Sequence, residues 1–389
     1  MTRVYECVLN PRFRPGEPYG EERRAVVGLT TQRNAVHEIT KWPGYAATPL
    51  VTMAGTARSV GIDQIWYKDE GPRFALGSFK ALGGAYGVLR ALLDRGHDVS
   101  VRAEGTLPQL DVTVTTATDG NHGRSVAWGA RMFGCHAVIY LPKAVSSGRE
   151  AAIRHFGAET VRVEGNYDDA VAVAQADAEH HGYVVVSDTS YEGYTAIPQY
   201  VMQGYGVIAH ELDGQLGGRE PTHLFLQGGV GAFAASMLGH YWDRLGARKP
   251  RLVIVEPVRA NCLYRSAMAG RPTRVDGDHR TIMAGLAAGE VSLLAWTILE
   301  TGTTAFMTIE DDAAADAMRA LAEGRFGDPH VTAGESAVAG LAALFTLRDD
   351  HALRDALGLD EHARVLLIGT EGATDPETYE RIVGHWPDR

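Results

Sequence analysis

The feature that most constrains the fold is an alternation of short apolar runs with alanine-rich helical periods, from about Thr48 onward. Glycine, aspartate or asparagine turns separate the runs, which is the pattern of βα units. The candidate strands are Gln64–Lys68, Thr113–Ala117, Ala137–Leu141, Glu159–Val163, Val184–Val186, His223–Gln227, Leu252–Glu256 and Val365–Ile368. Candidate helices include Ser78–Leu93, His122–Met132, Ser147–His155, Tyr167–His180, Ala232–Arg244 and Ala313–Ala322. This alternation predicts an α/β fold with mostly parallel twisted sheets flanked by helices.

Length and charge limit the kind of protein and its partners. A chain of 389 residues has the length of two cooperating domains, because single cores stop growing at about 250–300 residues. A net charge of −11 without a long basic run disfavours nucleic acid and anionic membranes as partners. No signal peptide and no apolar stretch of membrane-spanning length is visible. We therefore expect a cytoplasmic protein that binds a small molecule.

Cysteine and histidine give no metal or disulfide signal. The three cysteines, Cys7, Cys135 and Cys262, are far apart in the sequence and lack Cys-x-x-Cys spacing. A disulfide framework and a structural zinc site both need closer or paired cysteines. We expect a reducing compartment and no bound metal.

Lys80 is a candidate reactive lysine, because the chain has only five lysines and this one lies among apolar and small residues. It is at the start of the predicted helix Ser78–Leu93, where Ser78 is placed to cap. Such surroundings disfavour an ammonium ion, so we predict a lowered pKa and an amine free to form a Schiff base. The alternative is an ordinary first-turn lysine whose head reaches water.

Two turns are rich enough in glycine and polar groups to bind a ligand. The first is Gln227-Gly228-Gly229-Val230-Gly231-Ala232, which follows a strand and opens a helix, the setting in which backbone amides bind phosphate. It also fits the dinucleotide fingerprint, with Glu256 as a ribose-binding acid, so a NAD-dependent dehydrogenase stays open. The second is Thr116-Ala117-Thr118-Asp119-Gly120-Asn121-His122-Gly123. Plain turns are the alternative for both.

The order of these elements resembles the fold-type-II enzymes that depend on pyridoxal phosphate, the tryptophan synthase β-like group. The resemblance implies two domains with the cofactor in the cleft between them. It implies that Lys80, with Phe79 before it, holds the cofactor, that Asn121 contacts its ring hydroxyl, and that Thr370 contacts its pyridine nitrogen. The phosphate would lie against Gly228, Gly229, Val230, Gly231 and Ala232.

Further stretches are similar to the diaminopropionate ammonia-lyase family. They are Tyr67–Glu70, Arg73-Phe74, Ala117–Arg124, Asp188–Tyr194, Met202–Gly206, Met283–Leu286 and Thr370–Gly372. The family carries an acid at the positions of Asp119 and Asp188, whereas ordinary dehydratases have a serine at the first. The resemblance implies elimination of ammonia from 2,3-diaminopropionate, giving pyruvate and ammonia.

The same resemblance implies roles for the site residues. Lys80 would remove the α-proton of the L isomer and Asp119 that of the D isomer, while Asp188 would bind the substrate's β-ammonium. The substrate carboxylate would lie against the loop formed by Thr118, Asp119, Gly120, Asn121 and His122. We expect residues 1–84 and 191–389 to form a large cofactor-binding domain, residues 85–190 to form a small domain, and two chains to form a homodimer.

One departure from the family and several alternatives stay open at this point. The family has a cysteine after the Met283–Leu286 segment that pairs with the position of Cys262, and this chain has Ala287 and Ala288 there. A serine or threonine dehydratase, or another β-eliminating or β-replacing enzyme, would use the same fold. A dehydrogenase and a non-catalytic relative that only binds a metabolite are the remaining alternatives.

Overall fold

The structure is a computed structural model that describes residues 5–101, 110–118 and 120–387. The strands are β1 (Cys7–Leu9), β2 (Leu50–Thr52), β3 (Gln64–Asp69), β4 (Thr113–Ala117), β5 (His136–Pro142), β6 (Glu159–Val163), β7 (Val184–Val185), β8 (His223–Gln227), β9 (Arg251–Pro257), β10 (Ala305–Ile309) and β11 (Arg364–Gly369). The helices of the first half are α1 (Glu21–Val26), α2 (Leu29–Ile39), α3 (Ala54–Val60), α4 (Lys80–Leu93), α5 (Asn121–Phe133), α6 (Ser147–Arg154), α7 (Tyr167–His181), α8 (Ala196–Gly204) and α9 (Gly206–Gln215). Those of the second half are α10 (Ala232–Leu245), α11 (Cys262–Ala269), α12 (Leu293–Gly302), α13 (Asp311–Ala322), α14 (Ala339–Leu347), α15 (His351–Leu357) and α16 (Pro376–Val383).

The strands form two sheets. A seven-stranded sheet has the order β1-β10-β9-β8-β11-β3-β2, and its two edge strands, β1 and β2, are antiparallel to their neighbours. A four-stranded, all-parallel sheet has the order β6-β5-β4-β7 and is built from the segment between β3 and β8. The predicted α/β fold with mostly parallel sheets is therefore confirmed. Across the described ranges, no helix is both long and apolar enough to cross a membrane.

Helix α4, which begins at Lys80, is almost wholly buried and packs mainly against α5 and α8. Glycines let its neighbours approach closely, since a Cβ on Gly84 would lie 1.8 Å from Ser125 Oγ of α5, and one on Gly83 would lie 2.5 Å from the Tyr205 ring. The Ser125 hydroxyl donates to the Lys80 carbonyl at 2.7 Å. Close packing of α4 thus fixes the backbone that carries Lys80.

The start of α4 differs from the prediction. The helix begins at Lys80 rather than at Ser78, and its N-cap residue, Phe79, provides no side-chain cap. Ser78 instead forms an antiparallel bridge with Glu371, just after β11. The predicted Ser78 cap is therefore wrong, because the segment before α4 pairs with a distant strand end.

Candidate active site

One cleft collects most of the predicted site residues at the carboxyl ends of strands from both sheets, where open α/β sheets bind ligands. The cavity volume is about 120 Å³, enough for a small molecule rather than a single water. Twelve predicted residues line it: Phe79, Lys80, Thr118, Gly120, Asn121, His122, Asp188, Gly228, Gly229, Val230, Ala232 and Thr370. Gly231 lies behind the lining, and Asp119 lies outside the described residues.

The Lys80 amine is held by a carboxylate. Its Nζ donates to Asp188 Oδ2, and the same atom lies 5.3 Å from the centre of the Phe79 ring. Burial lowers the pKa of Lys80, but the charge and hydrogen bond of Asp188, together with Tyr205, more than offset this and leave the pKa above its ordinary value. The predicted lowered pKa is therefore wrong in this structure, because a partner distant in the sequence stabilises the ammonium form.

Asp188 and His122 form the wall beside Lys80. Burial raises the pKa of Asp188, but opposing interactions, led by the charge of Lys80, together hold that pKa well below its usual range. His122 Nε2 lies 2.8 Å from the Val186 carbonyl oxygen, and since a carbonyl only accepts, Nε2 carries the proton. The other ring nitrogen, Nδ1, is buried and has no hydrogen-bond partner among the described residues. Burial lowers the pKa of His122, so the neutral ring is favoured.

The glycine turn after β8 has free backbone amides at the start of a helix. Gly229 and Gly231 have φ values of 63° and 89°, a left-handed conformation that favours glycine. A Cβ on Gly228 would lie 2.4 Å from Glu256 Cγ, so no side chain fits there. The amides of Gly229, Val230 and Ala232 donate to no atom of the described chain. Such a helix start suits a phosphate group.

The turn after β4 is shaped by Thr118. Its hydroxyl oxygen accepts the amides of Gly120 and Gly123, each at 3.0 Å. The Gly120 amide is therefore already engaged within the loop, whereas those of Asn121 and His122 at the start of α5 donate to no described residue. The Asn121 and His122 amides are therefore the backbone donors of this loop that are free, among the described residues, to bind a ligand.

The end of β11 contributes a threonine and a glutamate. Thr370 is buried, lines the cavity, and accepts the Phe79 amide at its carbonyl, at 3.0 Å. Glu371 is also buried, and its carboxylate accepts from the Asn121 side-chain amide and from the Ser336 backbone amide at 3.1 Å. Glu371 therefore orients Asn121 from across the cleft.

Sequence reasoning missed the roles of Arg149, Tyr167, Ser336 and Glu371, which all line the cavity. Arg149 comes from α6 and pairs with Glu335 at 2.6 Å and with Asp375 at 3.6 Å. The only signal for Glu371 is its place in the Thr370–Gly372 stretch. The others carry no motif, because their proximity arises from contacts between distant segments.

Glu256 does not face the cavity as a ribose-binding acid would. It is fully buried and accepts the amides of Leu263 and Tyr264, at 3.0 and 2.7 Å, at the start of α11. Burial raises its pKa to about 8. Cys262 is a free thiol whose Sγ lies 3.4 Å from the Gly229 carbonyl, and Ala287 and Ala288 line the cavity.

Comparison with known proteins agrees with this geometry. A family model for pyridoxal-phosphate-dependent enzymes matches residues 41–371. The chain belongs to this family. A curated diaminopropionate ammonia-lyase of Salmonella typhimurium is 43% identical over 90% of this chain and 92% of its own length. One from Escherichia coli is 42% identical over 88% of each chain.

Solved structures give the same result. The chain matches a holo diaminopropionate ammonia lyase from Escherichia coli with a TM-score of 0.89 and 38% identity, over 98% of this chain and 97% of that one. It matches the same enzyme in complex with D-serine with a TM-score of 0.88, 38% identity and 97% and 96% coverage. The predicted fold type and cofactor class are therefore confirmed, and the dehydrogenase alternative is wrong.

The residues present fit pyridoxal phosphate. The free amides after β8 suit its phosphate, and the lysine amine, the Asn121 amide and the Thr370 hydroxyl line the same cavity. A Cβ at Gly229 would find its nearest neighbour at 3.6 Å, so the glycine is required by its backbone conformation rather than by crowding. We therefore expect Lys80, Asn121, Thr370 and the glycine turn to hold the cofactor.

Proposed function

We propose that the chain eliminates ammonia from 2,3-diaminopropionate and yields pyruvate and ammonia. The observation that carries this proposal is the buried Asp188 carboxylate beside the Lys80 amine in the cleft. A substrate with a β-ammonium group needs a carboxylate at this place, whereas a β-hydroxyl substrate does not. The high identity to diaminopropionate ammonia-lyases over nearly the whole chain supports it.

Bound pyridoxal phosphate supplies the electron sink that makes the substrate's α-proton acidic. This chain's residues then bind and orient the substrate and move protons. The amides of Asn121 and His122 are directed to the substrate carboxylate, since the described residues leave both without a partner. Lys80 Nζ accepts the α-proton of the L isomer. Its neighbour Asp188 binds the β-ammonium that leaves as ammonia.

The Lys80 and Asp188 pair explains how the substrate prepares the base. When Lys80 is not bonded to the cofactor, its Nζ contacts Asp188, and this contact favours the protonated amine. A substrate ammonium at Asp188 competes for that carboxylate. Burial alone lowers the pKa of Lys80, so losing its partner favours the neutral amine that accepts a proton. Only a substrate with a β-ammonium makes this exchange.

For the D isomer we propose Asp119 as the base. It lies in the sequence between Thr118 and Gly120, which both line the cavity. The two isomers present the α-hydrogen on opposite faces of the cofactor, so a single tethered lysine reaches only one of them. Asp119→Asn keeps the shape but removes the base, and should reduce kcat for the D isomer far more than for the L isomer. Equal losses would make Asp119 a binding or structural residue.

The experiment is a steady-state 2-oxo acid assay that measures pyruvate from L- and D-2,3-diaminopropionate and L- and D-serine, and 2-oxobutyrate from threonine. We expect the wild type to turn over both isomers of 2,3-diaminopropionate. We expect Lys80→Ala to turn over neither. Lys143→Ala is the control, because that lysine is exposed and pairs only with Glu164 within the described chain. Turnover of hydroxy amino acids alone, or full activity of Lys80→Ala, would refute the proposal.

We also propose the domain division and the assembly. The proposed division is a large domain of residues 1–84 and 191–389 and a small domain of residues 85–190. The two sheets support it, since all strands of the four-stranded sheet lie within residues 85–190. The homodimer and the cytoplasmic location stay predictions. Light scattering of the holoenzyme tests the first, and a mass of one chain would contradict it.

A further inference from the structure

A second cavity adjoins the active site and has no role in the proposed reaction. Its volume is about 830 Å³, within the range of small-molecule pockets. It is bounded by the N-terminal ends of α6 and α16, by the turn at Gly77, and by Arg124 of α5. Arg149 lines both cavities, so the two adjoin at this residue.

The Arg124 side chain has no counterion among the described residues. Its guanidinium makes no hydrogen bond and no ion pair with any of them, and its buried Nε has no partner there. Burial lowers the pKa of Arg124, and no carboxylate of the part of the chain that the structure describes offsets this. Placing an arginine in a partly buried site without an anion is unfavourable, because its charge and its five N–H donors lose water.

The other charged groups of this cavity are already engaged. Arg149 pairs with Glu335 and Asp375, and Asp375 also accepts the Thr378 amide at 3.2 Å as the cap of α16. Asp69 accepts the Gly71 amide at 2.9 Å, so one of its oxygens is engaged within its own turn. Glu377 is exposed to solvent, which screens it. Arg124 is therefore the charge that a ligand would neutralise.

We propose that this cavity binds a small anion, a carboxylate or a phosphate, through the Arg124 guanidinium. Planar guanidinium groups bind both anions through paired N–H donors. The site lies close to the first cavity, since Arg124 is one helical turn after Asn121 on α5. Its Nη1 is also near the turn at Gly77, at 3.5 Å from where a Cβ on that glycine would be. The inference does not rest on the proposed substrate.

The test is calorimetric titration of the holoenzyme with inorganic phosphate and, separately, with pyruvate at constant ionic strength. We expect saturable binding to the wild type and a loss of affinity of at least about tenfold in Arg124→Gln, as for a lost charged hydrogen bond. Arg131→Gln is the matched control, because Arg131 lies on the same helix but outside the cavity and contacts the His155 carbonyl. Tighter binding of phosphate or of pyruvate identifies the class of ligand.

A second variant keeps the test valid if Arg124→Gln folds poorly. Gly148 lines the cavity, and a Cβ there meets no atom within 4 Å, so Gly148→Glu adds a carboxylate to open space. It should weaken binding of the added anion. Equal affinity in wild type, Arg124→Gln and Gly148→Glu would overturn the proposal. So would binding that shifts the cofactor absorption band and competes with substrate, because that anion occupies the first cavity.

Discussion

The contact between α4 and α5 leads to a sharp prediction for Gly84→Ala. The new Cβ would lie 1.8 Å from Ser125 Oγ and 2.9 Å from Ser125 Cβ, so the serine must move. Its hydroxyl holds the Lys80 carbonyl at 2.7 Å, and moving it breaks this bond at the first residue of α4. The substitution therefore disturbs both helix packing and the position of the reactive lysine.

The size of the effect follows from three contributions. Overpacking in a dense core costs about 1–3 kcal/mol. Loss of the serine hydrogen bond costs about 1 kcal/mol. Alanine in place of glycine in a helix returns about 1 kcal/mol through lower backbone entropy. We expect Gly84→Ala to lower the free energy of unfolding by about 1–3 kcal/mol and to reduce kcat more than it raises KM, since the reacting amine is displaced.

The assay is urea unfolding of the holoenzyme, followed by circular dichroism and by cofactor absorbance. Gly214→Ala in α9 is the control, because a Cβ there has no atom within 4 Å and the backbone is helical. We expect it to be neutral or stabilising by up to about 1 kcal/mol. If Gly84→Ala were as stable and as active as Gly214→Ala, the claim that α4 is positioned by close packing against α5 would be refuted.

Two other predictions concern charge and cofactor binding. Burial and the charge of Glu371 raise the pKa of Glu335 from 4.5 to about 7, so between these pH values the unfolded chain gives up its proton first and stability falls as pH rises. In Glu335→Gln the thermal unfolding midpoint should depend less on pH over this window. An unchanged dependence on pH would show that the Glu335 carboxyl is not its cause. Gly229→Asp places a side chain at a φ of 63° and a negative charge beside the phosphate. Its dissociation constant for the cofactor should rise at least about tenfold, and an unchanged constant would make the loop a plain turn.

The sequence predicted eight of the described strands and missed three. The predicted bounds of β4, β6 and β8 agree with the structure, because each is a short run rich in β-branched or apolar residues that ends at a turn or a helix start. The edge strands β1 and β2 have three residues each, which is too short for a periodic pattern to show. Their pairing joins distant segments, such as Cys7 with Met307, and no local signal encodes that contact. The apolar strand β10 was also missed.

The candidate site shows the same limit. Motifs located the lysine, the asparagine and the glycine turn, since each depends on neighbouring residues. The partners that set their chemistry are distant in sequence: Asp188 lies 108 positions after Lys80, and Glu371 lies 250 positions after Asn121. A pKa shift depends on which charge the fold brings near, so the apolar setting of Lys80 predicted the wrong direction.

The central place of β11 has a consequence for biosynthesis. This strand lies between β8 and β3, so it joins the half of the large sheet that leads to the glycine turn with the half that leads to Lys80. During translation β11 emerges after every other strand, whereas the four-stranded sheet is complete much earlier. The cofactor pocket therefore forms only after most of the chain has left the ribosome. A nascent chain stalled before Arg364 should hold a folded small sheet but bind no cofactor.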